Sequence, residues 1–114
     1  MARLSIRIDL GDNARLGPGK VTLLEQIAIT GSISAAARAM DMSYKRAWDL
    51  VEELNGIFDK PLVSSQSGGK KGGGASLAEL GQEIVAQYNQ VVMSAETAAK
   101  ALLKRIEQQT RRRP

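Results

Sequence analysis

The chain has 114 residues, 43% of them hydrophobic and 25% charged, with a formal net charge of +4 and neither cysteine nor histidine. This length makes one domain, and no run approaches the ~20 apolar residues that span a bilayer, so we expect a cytoplasmic protein without a membrane anchor. The two missing residue types exclude disulfides, thiol nucleophiles, Cys/His zinc sites and Ser-His-Asp triads. Since the remaining polar residues form no catalytic set, we expect neither enzymatic activity nor a cofactor.

The first 31 residues predict a strand, a turn and a helix. Apolar and polar residues alternate from Leu4 to Leu10, which predicts a half-buried strand that ends at the turn-forming sequence Gly11-Asp12-Asn13. Pro18 suits the first turn of a helix, and Gly31 suits its end. The predicted apolar face of this helix consists of Val21, Leu24, Ile27 and Ala28.

Two further helices follow, joined by the short connection Asp41-Met42. The first starts near Ser32 or Ser34, either of which suits an N-cap, and places small residues on one face. The second helix is predicted to be capped by Ser43. Its apolar stripe consists, at spacings of three and four, of Ala47, Leu50, Val51, Leu54, Ile57 and Phe58. Off this stripe lie Tyr44, Lys45, Trp48, Asp49, Glu52 and Glu53.

A β-hairpin with a basic tip is predicted next. Pro61 starts the short strand PLVSSQ, the loop GGKKGG carries Lys70 and Lys71, and ASL forms a return strand. A phosphate-binding P-loop would need Ser or Thr after the second lysine, where the chain has Gly72, so a nucleotide site is disfavoured. Two interpretations stay open: a wing whose lysines neutralise DNA phosphates, or a flexible loop that contacts nothing.

Residues 78 to 109 predict a long final helix. Its apolar positions, three or four apart, are Leu80, Ile84, Tyr88, Val91, Ala95, Ala98, Leu102 and Ile106. At ~1.5 Å per residue it would be about 48 Å long, more than so small a core can cover. We therefore predict a homodimer through this helix, the alternative being a helix that ends near residue 95. The predicted parts are a core of residues 1–77, a dimerisation helix of residues 78–110 and a disordered basic tail of residues 111–114.

Two helices with a very short connection, followed by a hairpin, are typical of a winged helix-turn-helix in a mainly α, α+β fold. The second helix of this motif enters the major groove of double-stranded DNA with its first turn. The predicted DNA-binding residues are Ser34, Ser43, Tyr44, Lys45, Arg46, Trp48, Asp49, Lys70 and Lys71. The alternative is an ordinary solvated helix surface, which accounts less well for Tyr44 and Trp48 off the apolar stripe.

The segments LLEQIAITGSISAAARAMDMSYKRAWDLVEELN and PLVSSQSGGKKGGGASLAELGQEIV resemble the N-terminal DNA-binding domain of the molybdate-responsive ModE regulators. More distantly, they resemble the winged helix of LysR-type regulators. The resemblance covers about residues 3 to 95 and implies a dimeric regulator of genes for molybdate uptake and molybdoenzymes. It gives the recognition-helix role to Ser43, Tyr44, Lys45, Arg46 and Asp49, and the wing role to Lys70 and Lys71.

Two departures from the family pattern matter. Ala78 stands where the family usually has a capping threonine, so we expect a frayed helix start or a cap from Ser76. Family members bind molybdate with separate C-terminal domains, and this sequence stops at Pro114. The sequence therefore predicts a sequence-specific DNA-binding transcriptional regulator without molybdate-binding domains. The alternative is a dimeric protein-interaction module that pairs with a separate effector-binding protein.

Overall fold

The computed structural model describes residues 2–69 and 72–111, and the side chains of residues 67–73 lie outside the description. Four helices and two small antiparallel sheets follow one another. They are β1 (Ile8–Asp9), β2 (Arg15–Leu16), α1 (Pro18–Thr30), α2 (Ile33–Ala39), α3 (Tyr44–Ile57), β3 (Val63–Gly69), β4 (Gly72–Leu77) and α4 (Glu79–Gln108). This order confirms the predicted winged helix-turn-helix with a long C-terminal helix. In the described part of the chain, no helix is both long and apolar enough to cross a bilayer.

The N-terminal strand is shorter than the alternating pattern predicts. Strand β1 has only two residues, Ile8 and Asp9. They pair with β2, a strand that the sequence analysis did not identify, and Asp9 lies opposite Arg15. The preceding segment is tied to α4 instead, because the Tyr88 hydroxyl donates a hydrogen bond to the carbonyl of Ile6. The predicted turn is confirmed, and residues 11–13 all have positive φ.

Helix α1 begins and ends as predicted, but its buried face differs. Its end is marked by Gly31, at φ 74°, whose N–H donates to the carbonyl of Ile27. Ala28 is exposed although the pattern placed it in the core, whereas Leu23 is fully buried. The reason is that α1 packs against α2, α3, α4 and β4 at once, so its buried residues do not form a single stripe.

Both helices of the helix-turn-helix start at serine caps. Ser32, and not Ser34, caps α2 by accepting a 2.8 Å hydrogen bond from the N–H of Ala35. Ser43 caps α3 as predicted, accepting from the N–H of Arg46 at 3.0 Å. The predicted α3 stripe is confirmed, since its first four members are buried and Ile57 and Phe58 pack half-buried against the core.

Two contacts outside the ladder attach the β3–β4 hairpin to the helices. The side-chain oxygen of Asn55 accepts from the N–H groups of Leu62 and Val63 at 2.8 and 3.0 Å, and its amide donates to the carbonyl of Val63. Ala75 donates its N–H to the carbonyl of Gly31 at 2.9 Å. The hairpin predicted from the sequence is thereby held against α1 and α3.

Helix α4 packs against the core from Leu80 to Val92 and then extends away from it. Ala78 precedes it without a side-chain cap, so of the two expected alternatives, a frayed start or a cap from Ser76, the cap is wrong. Glu79 in the first turn complements the helix dipole. Only Gly81 and Tyr88 of α4 are buried. The helix nevertheless continues to Gln108, which contradicts the alternative that it ends near residue 95, and the molecule is 56 Å long.

Candidate nucleic-acid interface

The first turn of α3 forms an exposed polar surface. The cap by Ser43 fixes where the helix starts, and the buried stripe begins only at Ala47, so the three residues between them point away from the core. Tyr44 is 54% exposed, and Lys45 and Arg46 are exposed as well. A helix that presents its first turn in this way matches the geometry of a helix placed in a major groove.

An ion pair lies on this surface. The Lys45 ammonium is 3.1 Å from a carboxylate oxygen of Asp49, one helical turn later, and the two side chains are 85% and 61% exposed. Pairs this exposed contribute roughly 0.3–0.5 kcal/mol, so a DNA phosphate or base can replace Asp49 at little cost. Asp49 therefore positions the lysine in the free protein without immobilising it.

Trp48 lies partly against the core, which corrects the expectation that it stands wholly off the apolar stripe. Its side chain is half-buried and packs against the buried cluster, while its ring meets that of Tyr44 edge to face at 6.2 Å between centroids. Such a contact limits the orientations of Tyr44. The structure thus makes Trp48 a support for Tyr44, and a direct DNA contact by Trp48 stays a prediction.

The remaining predicted residues differ in how they are placed. Ser34 is half-buried in the first turn of α2, with its hydroxyl 3.2 Å from that of Ser32. Lys70 and Lys71 lie outside the described residues, so their wing role stays a prediction. The two strands that lead to them are formed, with Val63 opposite Leu77 at the base of the ladder.

The sequence analysis missed three cationic residues close to this surface. Arg7, Arg15 and Lys20 line one cleft together with Arg46 of α3. The signal was the turn at residues 11–13, because a hairpin there brings Arg7, just before β1, close to Arg15 of β2, but Arg15-Leu16 is too short to show a period of two.

A family profile decides the classification of this fold. The profile of bacterial regulatory helix-turn-helix proteins of the lysR family matches residues 19–82, more than half of the chain. The chain belongs to this family. The matched range includes α2, α3 and the β3–β4 hairpin, and so covers the elements that carry the exposed surface described above.

Individual relatives of this lysR-family chain have names that refer to molybdenum or to DNA. The molybdenum transport protein ModE of Azotobacter vinelandii is 36% identical over 110 residues, which are 96% of this chain and 40% of that protein. The molybdenum-pterin-binding protein MopB of Rhodobacter capsulatus is 47% identical over 68% of this chain and 29% of its own length. The DNA-binding transcriptional dual regulator ModE of Escherichia coli (strain K12) is 38% identical over 77% of this chain and 34% of its own length. The chain therefore spans less than half of each of these relatives, and the predicted resemblance to ModE regulators is confirmed.

Proposed function

We propose that this chain is a sequence-specific DNA-binding transcriptional regulator of the ModE type that acts by binding, without enzymatic activity, in the cytoplasm. The observation that carries the proposal is the exposed first turn of α3, with Tyr44, Lys45 and Arg46 beside the capping Ser43. Membership of the lysR family supports it, since the matched range contains this turn.

The contacts follow from the chemistry of the side chains. An arginine can donate two hydrogen bonds to the major-groove edge of guanine, so Arg46 is our first candidate for base recognition. Lys45, once released from Asp49, suits a phosphate or a base, and the Tyr44 hydroxyl suits a phosphate. Lys70 and Lys71 of the wing would add contacts to phosphates, which strengthen binding to every sequence alike.

A homodimer through residues 78–110 is part of this proposal. Beyond Tyr88, α4 exposes a series of large apolar side chains: Val91 (43% exposed), Met93 (60%), Leu102 (61%) and Ile106 (60%). Apolar surface of this extent commonly marks an interface, and a second copy of α4 offers a matching one. The dimer would place two α3 helices in successive major grooves, ~34 Å apart, on a pseudo-palindromic site.

The names of the relatives suggest which genes are involved. Those names refer to molybdenum transport and to binding of a molybdenum-containing pterin, and we propose that this chain regulates genes of the same metal's physiology. Within residues 2–69 and 72–111, no group of three or more acidic side chains is placed to hold a metal ion. For this segment we propose DNA binding alone.

Charge reversal on α3 tests the DNA contact. Lys45→Glu and Arg46→Glu together should weaken binding to a selected operator by more than ~100-fold, because base contacts contribute roughly 1–3 kcal/mol each and the new charges repel phosphates. Lys60→Glu, a single charge reversal at another exposed lysine, is the control and should cost less than ~3-fold, since a charge away from the contact acts mainly through the screened long-range field. Equal losses in all variants would contradict the proposal. Weak binding that ignores sequence would favour a protein-interaction module instead.

The wing is tested separately by salt dependence. Lys70→Ala with Lys71→Ala should weaken binding to operator and random duplexes by the same factor and reduce the slope of log K against log[salt] by about 2, as expected for two lost phosphate contacts. The measurement is fluorescence anisotropy over a range of salt concentrations. An unchanged slope would show that the two wing lysines make no phosphate contact.

A further inference from the structure

A cleft of about 530 Å³ lies beside α3, and it is lined by Arg7, just before β1, and by residues of β2, α1 and α3. We propose that this cleft binds backbone phosphates of duplex DNA next to the major groove that α3 enters. The β1–β2 hairpin would then be a phosphate-binding element in addition to the β3–β4 wing. The inference rests on the proposed function, because it requires α3 to lie on DNA.

The fold joins the cleft to the surface of α3. Arg46, Leu50 and Glu53 all line it, and their spacing of four and three places them along one side of the helix. Arg46 is thus both a residue of the exposed first turn and part of the cleft wall. A duplex that contacts Arg46 reaches the mouth of the cleft without any change in the fold.

The cations of the hairpin are weakly held. The single carboxylate of Asp9 serves two guanidinium groups, at 3.0 Å from Arg7 and 3.8 Å from Arg15. All three side chains are more than half exposed, so these pairs contribute little stability and leave an excess of positive charge. A phosphate has the geometry that arginine binds with two parallel hydrogen bonds, and it can take the place of Asp9.

Lys20 has a different role in the same cleft. Its side chain is only 15% exposed and pairs with Glu53 of α3 at 3.2 Å. The ammonium also donates a 2.9 Å hydrogen bond to the backbone carbonyl of Arg15. Both contacts connect the β2 strand to α3, so Lys20 acts as a structural link and leaves Arg7 and Arg15 as the hairpin residues available to DNA.

Arg46 supplies the third available cation. Within residues 2–69 and 72–111, its guanidinium makes neither a hydrogen bond nor an ion pair. The start of α1 forms another wall of the cleft, and its N-cap Gly17 contributes no side-chain acceptor, so the positive end of the helix dipole adds to the potential. Three cations from the N-terminal hairpin and α3 suit the repeated charges of a phosphate chain better than one small anion.

Matched charge changes of opposite sign test this proposal. Arg15→Ala should weaken duplex binding by ~3- to 10-fold and lower the slope of log K against log[salt] by about 1, as for one lost phosphate. Asp9→Asn should strengthen binding by ~2- to 3-fold, because it removes the carboxylate that competes with phosphate. The controls Lys60→Ala and Asp59→Asn change the net charge identically, but neither residue lines the cleft. Both should change binding less than ~2-fold.

The opposite effects expected from Arg15→Ala and Asp9→Asn also distinguish a DNA contact from damage to the hairpin. Each change removes one partner of the Arg15–Asp9 pair, so loss of the hairpin would weaken binding in both variants, whereas phosphate binding predicts opposite effects. Ethylation interference should show one flanking phosphate that matters to the wild-type chain and not to Arg15→Ala. Weakening in both variants, or effects equal to those of the controls, would overturn the proposal.

Two further outcomes separate this inference from the proposed function. If Lys45→Glu with Arg46→Glu abolishes operator binding while the hairpin variants behave like their controls, only the cleft assignment fails. A wild-type chain that binds no duplex would overturn both. If inorganic phosphate at constant ionic strength removes the effect of Arg15→Ala, the cleft is a site for a small free anion, which contradicts the assignment to DNA.

Discussion

The winged helix-turn-helix core and the distal half of α4 differ in how completely the single chain covers them. In the core, Leu23, Leu24, Ile27, Leu54 and Leu62 are inaccessible to solvent, and no described side chain has a buried polar atom without a hydrogen-bond partner. In α4 the last buried residue is Tyr88 and the last side chain that packs against the core is Val92, yet the helix continues for 16 residues, from Met93 to Gln108. The core region has a closed apolar interior, although Leu10 and Ile29 on its surface are exposed, whereas the distal half of α4 has no buried residue at all.

This difference assigns separate tasks to the two regions. The core positions the first turn of α3, whereas the distal half of α4 contributes nothing to that positioning and is available for association. A helix gains most of its stability from packing of its apolar face, so we expect the distal part of α4 to be most stable when paired. The comparison therefore predicts that association and folding of the core can be disrupted independently.

The largest effect is expected from breaking association. Leu102→Glu with Ile106→Glu should give a monomer and reduce operator affinity by about 100-fold or more, because two linked half-sites bind far more tightly than one. Thermal unfolding of the core should be nearly unchanged. Sedimentation and anisotropy measure the first two effects, and Gln87→Glu with Gln108→Glu adds the same charge at exposed polar positions as a control. A variant that stays dimeric would contradict the assignment of the interface.

The next largest effect is expected where α4 crosses the hairpin. A Cβ added at Gly81 would lie 2.2 Å from the carbonyl oxygen of Leu62, so Gly81→Ala must displace backbone. We expect it to lower the free energy of unfolding by about 3 kcal/mol. Gly56→Ala in α3 meets nothing within 4 Å and should instead be neutral or stabilising by up to about 1 kcal/mol. Urea denaturation of both variants measures the difference, and similar values would contradict this packing.

Removal of the Asn55 side chain should weaken the attachment of the hairpin. Asn55→Ala leaves the N–H groups of Leu62 and Val63 without their acceptor, and we expect a loss of about 2 kcal/mol. Asn55→Asp keeps an acceptor oxygen but loses the donor to the carbonyl of Val63, so it should fall between alanine and wild type. If alanine and aspartate are equally stable, the hydrogen bonds to the hairpin are not what Asn55 contributes.

The smallest effect concerns Tyr88, the last buried residue of α4. Burial raises the pKa of its hydroxyl above the ordinary 10.0, so the folded state favours the neutral form. The contribution of this burial to the free energy of unfolding is present below pH 10 and is lost as the pH rises above that value, because the tyrosine ionises first in the unfolded chain. Wild type should thus lose stability above pH 10 more steeply than Tyr88→Phe, which costs about 1 kcal/mol at neutral pH.

Local chemistry made much of the fold predictable from sequence. The cap at Ser43, the stop at Gly31 and the α3 stripe follow from rules that act within a few residues, and all are confirmed. The exposed first turn of α3 follows from that stripe, so most of the candidate site was predictable as well.

The errors arise where contacts distant in sequence decide the outcome. Ala28 was predicted to be buried and is exposed, whereas Leu23 was not predicted to be buried and is inaccessible to solvent. The reason is that four elements pack around α1, so its buried residues do not follow a single helical period. Trp48 packs half-buried against the core, although its position on the helix indicates the surface. The cleft at Arg15 depends on contacts of the N-terminal hairpin with α1 and α3, and a two-residue strand has no periodic signal.

Selection of DNA fragments from a random pool tests the central claim most directly. If two α3 helices of a dimer contact adjacent major grooves, the retained fragments should share a palindromic consensus whose half-sites are about one helical turn apart. Repeating the selection with Lys45→Glu and Arg46→Glu should remove that consensus. Retained fragments without a shared sequence, or the same consensus from the variant, would contradict the claim that the first turn of α3 recognises DNA.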